Sequence, residues 1–591
     1  MNEITTDESL PLLLEPNRLL RRTTDTRTPF QRNLAVYLIL FSAGFERLAF
    51  YSLAGNLTFF LDSKLIKWTF PHTIIAPLIF LGTSYISALV FSWVSDGRLG
   101  RAKTIIIGFT IYCIGYTFMI LFANEHMHQN WCPIHNNNNT DIVTSDFFNE
   151  LCIQYILPTL ILTAIGVGAV QANMAVFGAE QVREQKNKTR YFDIYYAAVN
   201  TGGLIAFGAI AYLQINRDYF IGYLVPGVLL ILAFILFLIG YKYYIHIKPH
   251  DSVITAFLPI LINAFQSWRN HRRNQHGLIN STEPLHQEEP IVETEGDSND
   301  YLSFTISRPS WSFIDYAKVE NNGRFPDRIV NDIKSLRRII AVFLLLTPYW
   351  LLYVQVETTF IVQGAHMKLP TSFKKMPVIW LSLANQIIII VTIFLLNTFV
   401  YKRLQASGRS FPINTRIVIG MVSAALSMCM AGTVEIFRQN ICKTQNFTQI
   451  IADKEYIAAN MSVFFQFPQY VGIGLSEVFT SVASLEFAYL AAPQSAQSLI
   501  MSLRFCSAGL SSFFGSGIVG LLSIVNGNQV FENYRNDERY YIYFFILAGF
   551  QLVFILIFIG CNRKYKILKL PNHHHLSSRH FLTSNSNPIT D

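Results

Sequence analysis

Residues 33–60 read NLAVYLILFSAGFERLAFYSLAGNLTFF. About 20 apolar residues in a helix cross the hydrocarbon core of a bilayer, and this run is longer. Its charges are confined to one adjacent pair, Glu46-Arg47. An ionisable group at mid-membrane costs roughly 2.5–3.5 kcal/mol on insertion scales, so groups kept there are functional candidates. The stretch therefore predicts a membrane-spanning helix carrying a chemically committed pair.

Working outward, the same pattern recurs. It predicts spans at 33–60, 74–95, 103–123, 152–178, 190–213 and 219–244, and then at 338–363, 376–401, 413–437, 458–489, 496–523 and 539–562. The composition agrees: 51% of the 591 residues are hydrophobic and 14% are charged, against about 25% charged in soluble proteins. The fold class is an all-α membrane protein, twelve transmembrane helices in two six-helix bundles. The expected divisions are a cytosolic tail (1–32), an N-terminal bundle (33–245), an insert (246–336), a C-terminal bundle (337–562) and a second tail (563–591).

Basic residues fix the expected orientation. Arg98, Arg101 and Lys103 follow span two, and Arg183, Lys186, Lys188 and Arg190 follow span four. Lys402, Arg403 and Arg409 follow span eight, and Arg563, Lys564 and Lys566 follow span twelve. Cytosolic loops collect Lys and Arg, so both termini and the insert belong on the cytosolic side. The net charge of +8 thus orients the chain in a lipid bilayer and does not form a nucleic-acid stripe. The opposite loops hold three glycosylation sequons, at Asn138, Asn446 and Asn460. Cys132, Cys152 and Cys442 fall in or beside those loops, and a disulfide between two of them is expected with the pairing open. The polar N-terminus shows no cleavable signal. In the insert, Ala256 to Trp268 reads as an interfacial helix interrupted by Pro259. Residues 274–305 read as disordered, order returns near Trp311, and a helix from about Asp327 leads into span seven.

Further ionisable residues inside spans include Glu357 in span seven, Glu477 and Glu486 in span ten, and Arg504 near the start of span eleven. Arg504 reads as a structural or interface-seeking group. No zinc-ligand spacing, nucleotide-binding glycine motif or nucleophile elbow occurs, so nothing supports an enzyme. His573-His574-His575 reads as part of a polar tail and not as a metal site, and no cofactor is implied beyond protons as a coupling ion.

Several blocks together resemble the proton-coupled oligopeptide transporters of the major facilitator superfamily. Gly44-Phe45-Glu46-Arg47-Leu48-Ala49-Phe50-Tyr51 is similar to their first-helix motif, and Asp96-Gly97-Arg98-Leu99-Gly100-Arg101 to their gating loop. Phe177-Gly178-Ala179-Glu180-Gln181 and Asn200-Thr201-Gly202 resemble further blocks. Pro468 through Glu477-Val478, with Leu485-Glu486-Phe487-Ala488-Tyr489, is similar to the tenth-helix signature. Asp315-Tyr316-Ala317-Lys318, Gly323-Arg324-Phe325 and Pro348-Tyr349-Trp350 resemble the peptide/histidine subgroup. The resemblance implies a major facilitator superfamily fold with the ligand between the bundles. It also implies that Glu486 captures the substrate amine, that Asn200 and Asn385 bond the substrate backbone, and that Tyr51 and Trp350 line the cavity. Glu46 and Arg47 would couple protons, and Asp96, Arg98 and Arg101 would gate.

The chain departs from the family at four positions. Ala43 stands for the motif's first Glu, Gln171 for the substrate-facing Lys of span four, Ala54 for a first-helix Arg and Val354 for the acidic residue of span seven. Glu357 lies three residues beyond Val354, on the same helix face, and is expected to take over the acidic role. The implied function is proton-coupled symport of di/tripeptides and/or histidine from the endolysosomal lumen, with the plasma membrane as the alternative location. Two dileucine patterns in the tail, Glu8 with Leu12-Leu13 and Glu15 with Leu19-Leu20, fit recognition by sorting adaptors. The competing functions are a transport-impaired scaffold or nutrient sensor and a proton-independent facilitator of small solutes.

Overall fold

The structure, a computed structural model, is described for residues 27–131, 152–182, 185–247, 259–270, 312–321, 323–370, 376–401, 403, 406–407, 411–451, 454–491, 497–525 and 540–565. The sorting patterns of residues 8–20, Asn138 and the segment 274–305 lie outside these residues.

Span one is a single helix, Pro29–Asp62. Thr28 and Gln31 form a reciprocal capping box at its start (3.3 and 3.0 Å), and Pro29 sits in the first turn, where its missing N–H costs nothing. The remaining N-terminal spans are Phe70–Val94, Arg101–Ala123, Ile153–Glu180, Gln185–Ile205 continuing through a π turn to Asn216, and Tyr219–Gly240. Span seven follows from Asp327, and spans eight, nine, eleven and twelve include Leu381–Leu395, Ile413–Thr444, Gln497–Val525 and Tyr540–Tyr565. Among the described residues, eleven helices are long and apolar enough to cross a membrane. Span ten is the other crossing. It is built from Phe467–Ser476, a π segment Glu477–Ser481, and Val482–Ala491.

Two expected boundaries change. Span ten does not begin at 458. Residues Lys454–Ser462 are a strand, β3, paired antiparallel with β2 (Asn446–Ile451), and β3 also pairs in parallel with β1 (Met367–Lys368). Short apolar runs are common to strands and helices, and here the alternating exposure of β2 marks the strand. Span seven is not continuous either. Its helix Asp327–Leu345 gives way to Thr347–Tyr353, a 3₁₀ turn Val354–Glu357 and Thr359–Ala365. Pro348 has no N–H to give to the preceding turn.

Span one packs against spans two, five and six within its bundle, and span nine against ten and twelve within the other. Span two meets span eleven across the bundles. There Tyr85 stacks on Phe505 (6.0 Å), and Gly509 lets the span-two backbone approach to 3.0 Å of a would-be Cβ. Spans one and five touch through Gly44 and Gly202: a Cβ on Gly202 would overlap the Gly44 carbonyl and come within 3.0 Å of the Leu48 amide. Small residues of this kind let helices associate in lipid, where no hydrophobic drive exists between them. Replacing Gly202 with Val should cost about 1–3 kcal/mol by overpacking. The expected readout is a lower thermal midpoint and loss of the monodisperse peak in detergent.

The insert carries its own small core. Helical residues 259–270 bury Ile260 and Ala264 against Ile314, Ala317, Val330 and Ile333. The start of the expected interfacial helix, residues 256–258, lies outside the described residues. Asp315, on the turn Phe313–Ala317, accepts from the Ser312 amide (2.9 Å), Lys334 (2.7 Å) and Lys318 (3.3 Å). Burial works to raise its pKa, but Lys334, the Ser312 amide and Lys318 outweigh it and hold the carboxyl below its usual value. Its contribution to stability is therefore present above the unfolded carboxylate pKa, and is lost as pH falls through the depressed folded value. Asp315→Asn should speed proteolysis of the insert at neutral pH, and the difference from the parent should vanish once acid has protonated Asp315.

Cys152 is disulfide-bonded and Cys442 is a free thiol; Cys132 lies outside the described residues.

Candidate functional site

The 3₁₀ turn in span seven sets the site. In a 3₁₀ helix residues three apart eclipse one another, so Glu357 stands directly over Val354. Glu357 lines a small cavity between the bundles with Phe207 of span five, Tyr353 and Val356 of span seven, and Ser382, Asn385 and Gln386 of span eight. Asn385 is buried, and its Oδ1 has no partner.

Glu477 faces the same region. It opens the π segment of span ten, and π bulges widen a helix turn and recur at functional sites. It lies beside Tyr353, in the field of both Glu357 and Arg504, and its Oε2 has no partner. Arg504 donates to Ser481 Oγ at 2.6 Å and sits 5.2 Å from the Trp350 ring. Trp350 packs edge-on against Tyr349 and Tyr353, and its Nε1 has no partner. Tyr85 of span two is near enough to feel Glu357, Glu477, Arg504 and Arg47.

Glu46 and Arg47 form a buried bidentate pair, Nε to Oε2 and Nη2 to Oε1, both 2.6 Å. The Arg47 guanidinium also lies 4.6 Å from the Phe50 ring. Arg47 therefore takes its carboxylate from its neighbour, and Ala43 leaves no gap in that pairing. Tyr51 packs 5.3 Å from Phe207, at the edge of the Glu357 cavity. Gln171 is half-buried with Oε1 unpartnered. Asn200 is half-buried and bonds its own helix at Tyr196 O (2.7 Å). In the gating loop, Arg101 pairs with Asp96 (2.9 Å) and with Glu180, while Arg98 lies 5.8 Å from Trp93.

The structure does not bring Glu486 into this site. Its side chain is 45% exposed and it pairs with Arg416 at 2.5 Å. Nine residues separate it from Glu477, which is about 14 Å along a helix and about half a turn around it. Glu477 holds the central position that the sequence reading gave to Glu486, and that angular offset was the signal available to separate the two. Asn446 and Asn460 are exposed on β2 and β3.

Sequence reading also missed two polar clusters, one within the C-terminal half and one across the bundles. Glu435 binds Arg438 through both its oxygens (3.0 and 2.6 Å), and Gln363 donates to it at 3.0 Å; all are buried. At the hairpin end, Asp62 closing span one takes bonds from Lys454 and from Tyr456 (2.5 Å) of β3, so the hairpin is latched across the bundle interface. Trp380 adds a cross-bundle bond to Gly208 O (3.1 Å).

The comparisons agree with this architecture. Residues 102–536 match the model described as the POT family. The rat "Solute carrier family 15 member 3" is 27% identical, over 90% of this chain and 92% of its own length. The Arabidopsis thaliana "Protein NRT1/ PTR FAMILY 7.2" is 26% identical, over 91% and 92% respectively. The crystal structure of the POT family transporter PepTSo superposes with a TM-score of 0.67 at 22% identity, covering 92% of this chain and 99% of that one. With twelve crossings in two bundles and ionisable groups held between them, the chain belongs to the POT family, a family of membrane transporters and not of enzymes.

Proposed function

We propose that the protein is a proton-coupled symporter that carries small peptides, histidine or both from an acidic endolysosomal lumen to the cytosol by alternating access. The observation that carries this reading is the convergence of Glu357, Glu477 and Arg504 at the bundle interface. A substrate ammonium entering a dry cleft needs a carboxylate partner, and Glu477 supplies one. Glu357 supplies a second, separate acid for the proton. Desolvation favours the neutral form of any carboxyl and a nearby cation its charged form, so cleft opening and closing can tie protonation to conformation. Solved family members are complexed with alafosfalin and with a thioalcohol-conjugated peptide, which favours peptides here.

On this reading the hairpin end faces the lumen and the insert end the cytosol. The latch from Asp62 to β3 then closes the lumenal door. The same orientation puts sequons Asn446 and Asn460 in the lumen as glycan acceptors, and the dileucine patterns where sorting adaptors reach them. Uptake of labelled dialanine and histidine into proteoliposomes, with and without an imposed pH gradient, tests the function. Gradient-driven uptake supports symport. Absence of uptake favours the scaffold or sensor reading, and gradient-independent flux favours a facilitator.

A further inference from the structure

The geometry points to Arg504 as the docking site for the substrate's terminal carboxylate, which makes the preferred ligand a short zwitterion with a free C-terminus. This rests on the carrier reading and adds to it the recognition of the ligand's second charge.

The inference follows from which cations face the cleft. Arg47 is occupied, bound through two nitrogens to Glu46 at 2.6 Å. The span-four position is Gln171 and the first-helix position is buried Ala54, so neither offers a charge. Arg504 remains. Tyr85 and Tyr196 of the N-terminal bundle and Tyr349 and Glu477 of the C-terminal bundle all lie in its field, which places it between the bundles. Its Nη2 bonds the neutral hydroxyl of Ser481 and its Nε has no partner. Trp350, 5.2 Å away, gives the guanidinium plane a backing, and a planar fork held in this way suits bidentate capture of a carboxylate.

The separation also fits. Ser481, which anchors Arg504, closes the same π segment that Glu477 opens, so the two charges are held at opposite ends of one helix turn. An extended dipeptide spans about 7 Å. An ammonium on Glu477 and a carboxylate on Arg504 would thus span two opposite charges that do not already neutralise each other by direct contact.

The test compares dialanine with its C-terminal amide, using equilibrium binding to the full-length protein in detergent. The parent should bind dialanine roughly 10- to 100-fold more tightly than the amide, since a charge-assisted bond is lost. Arg504→Gln should bind both alike, with its affinity for the amide unchanged, which also reports that the variant is folded. Arg504→Lys, which keeps the charge without the fork, should keep part of the preference. The proposal is overturned if the parent shows no preference, or if Arg504→Gln retains it. A purely structural role for Arg504 would weaken both ligands equally, and that result also overturns it. A parallel uptake measurement separates the two claims: selective binding without gradient-driven uptake leaves this site standing and removes the symport reading.

Discussion

Glu477→Gln abolishes uptake of dialanine, lowering it by more than about a hundredfold, while Glu486→Gln leaves it within about twofold of the parent. The first effect follows from what Glu477 does for an incoming ammonium. A buried charge stripped of its partner costs about 3–5 kcal/mol, and each 1.4 kcal/mol is a factor of about ten. The second follows from position: Glu486 lies about half a turn around span ten from Glu477 and pairs with Arg416, and the glutamine oxygen can still accept from that buried guanidinium, so the amine site is left intact. Uptake of labelled substrate, corrected for protein incorporated into liposomes, measures both. Equal losses in the two variants would return the amine site to Glu486 and contradict the geometry.

Glu357→Gln removes the response to a pH gradient without removing substrate exchange. A gradient of 2 units supplies about 2.7 kcal/mol per proton, enough for about a hundredfold accumulation in the parent. Glutamine keeps the side-chain shape and its hydrogen-bonding atoms but takes no proton. The accumulation ratio should therefore fall to about one, while counterflow from preloaded liposomes continues because it needs no net proton movement. Retention of gradient-driven accumulation would exclude Glu357 from coupling and direct attention to the Glu46–Arg47 pair.

The parts legible in the sequence were those encoded by long apolar runs. Residues 33–60 announced span one because nothing but a membrane accommodates such a stretch, and its mid-membrane pair was found in the same reading. The relation of Glu357 to Val354 was also legible, because a three-residue offset keeps a face in either an α-helix or the tighter turn that the structure adopts. The start of span ten was not, because Tyr456 to Phe465 is apolar enough for either a strand or a helix, and only pairing with β2 decides between them. Choosing between Glu477 and Glu486 required knowing which face of span ten meets the cleft. Arg504 read as structural because its neighbours Ser481 and Trp350 come from other spans, which no local pattern records. The Asp62 latch joins residues nearly 400 positions apart, beyond the reach of any periodicity.

The sheet at the hairpin end has a mechanical consequence. Its short first strand, Met367–Lys368, continues the same piece of chain that carries Glu357, and it is stitched to the strand holding Lys454 and Tyr456. Through Asp62, the end of span one is thereby tied to the sheet that closes span seven, so the two bundles are fastened at this end by a single carboxylate.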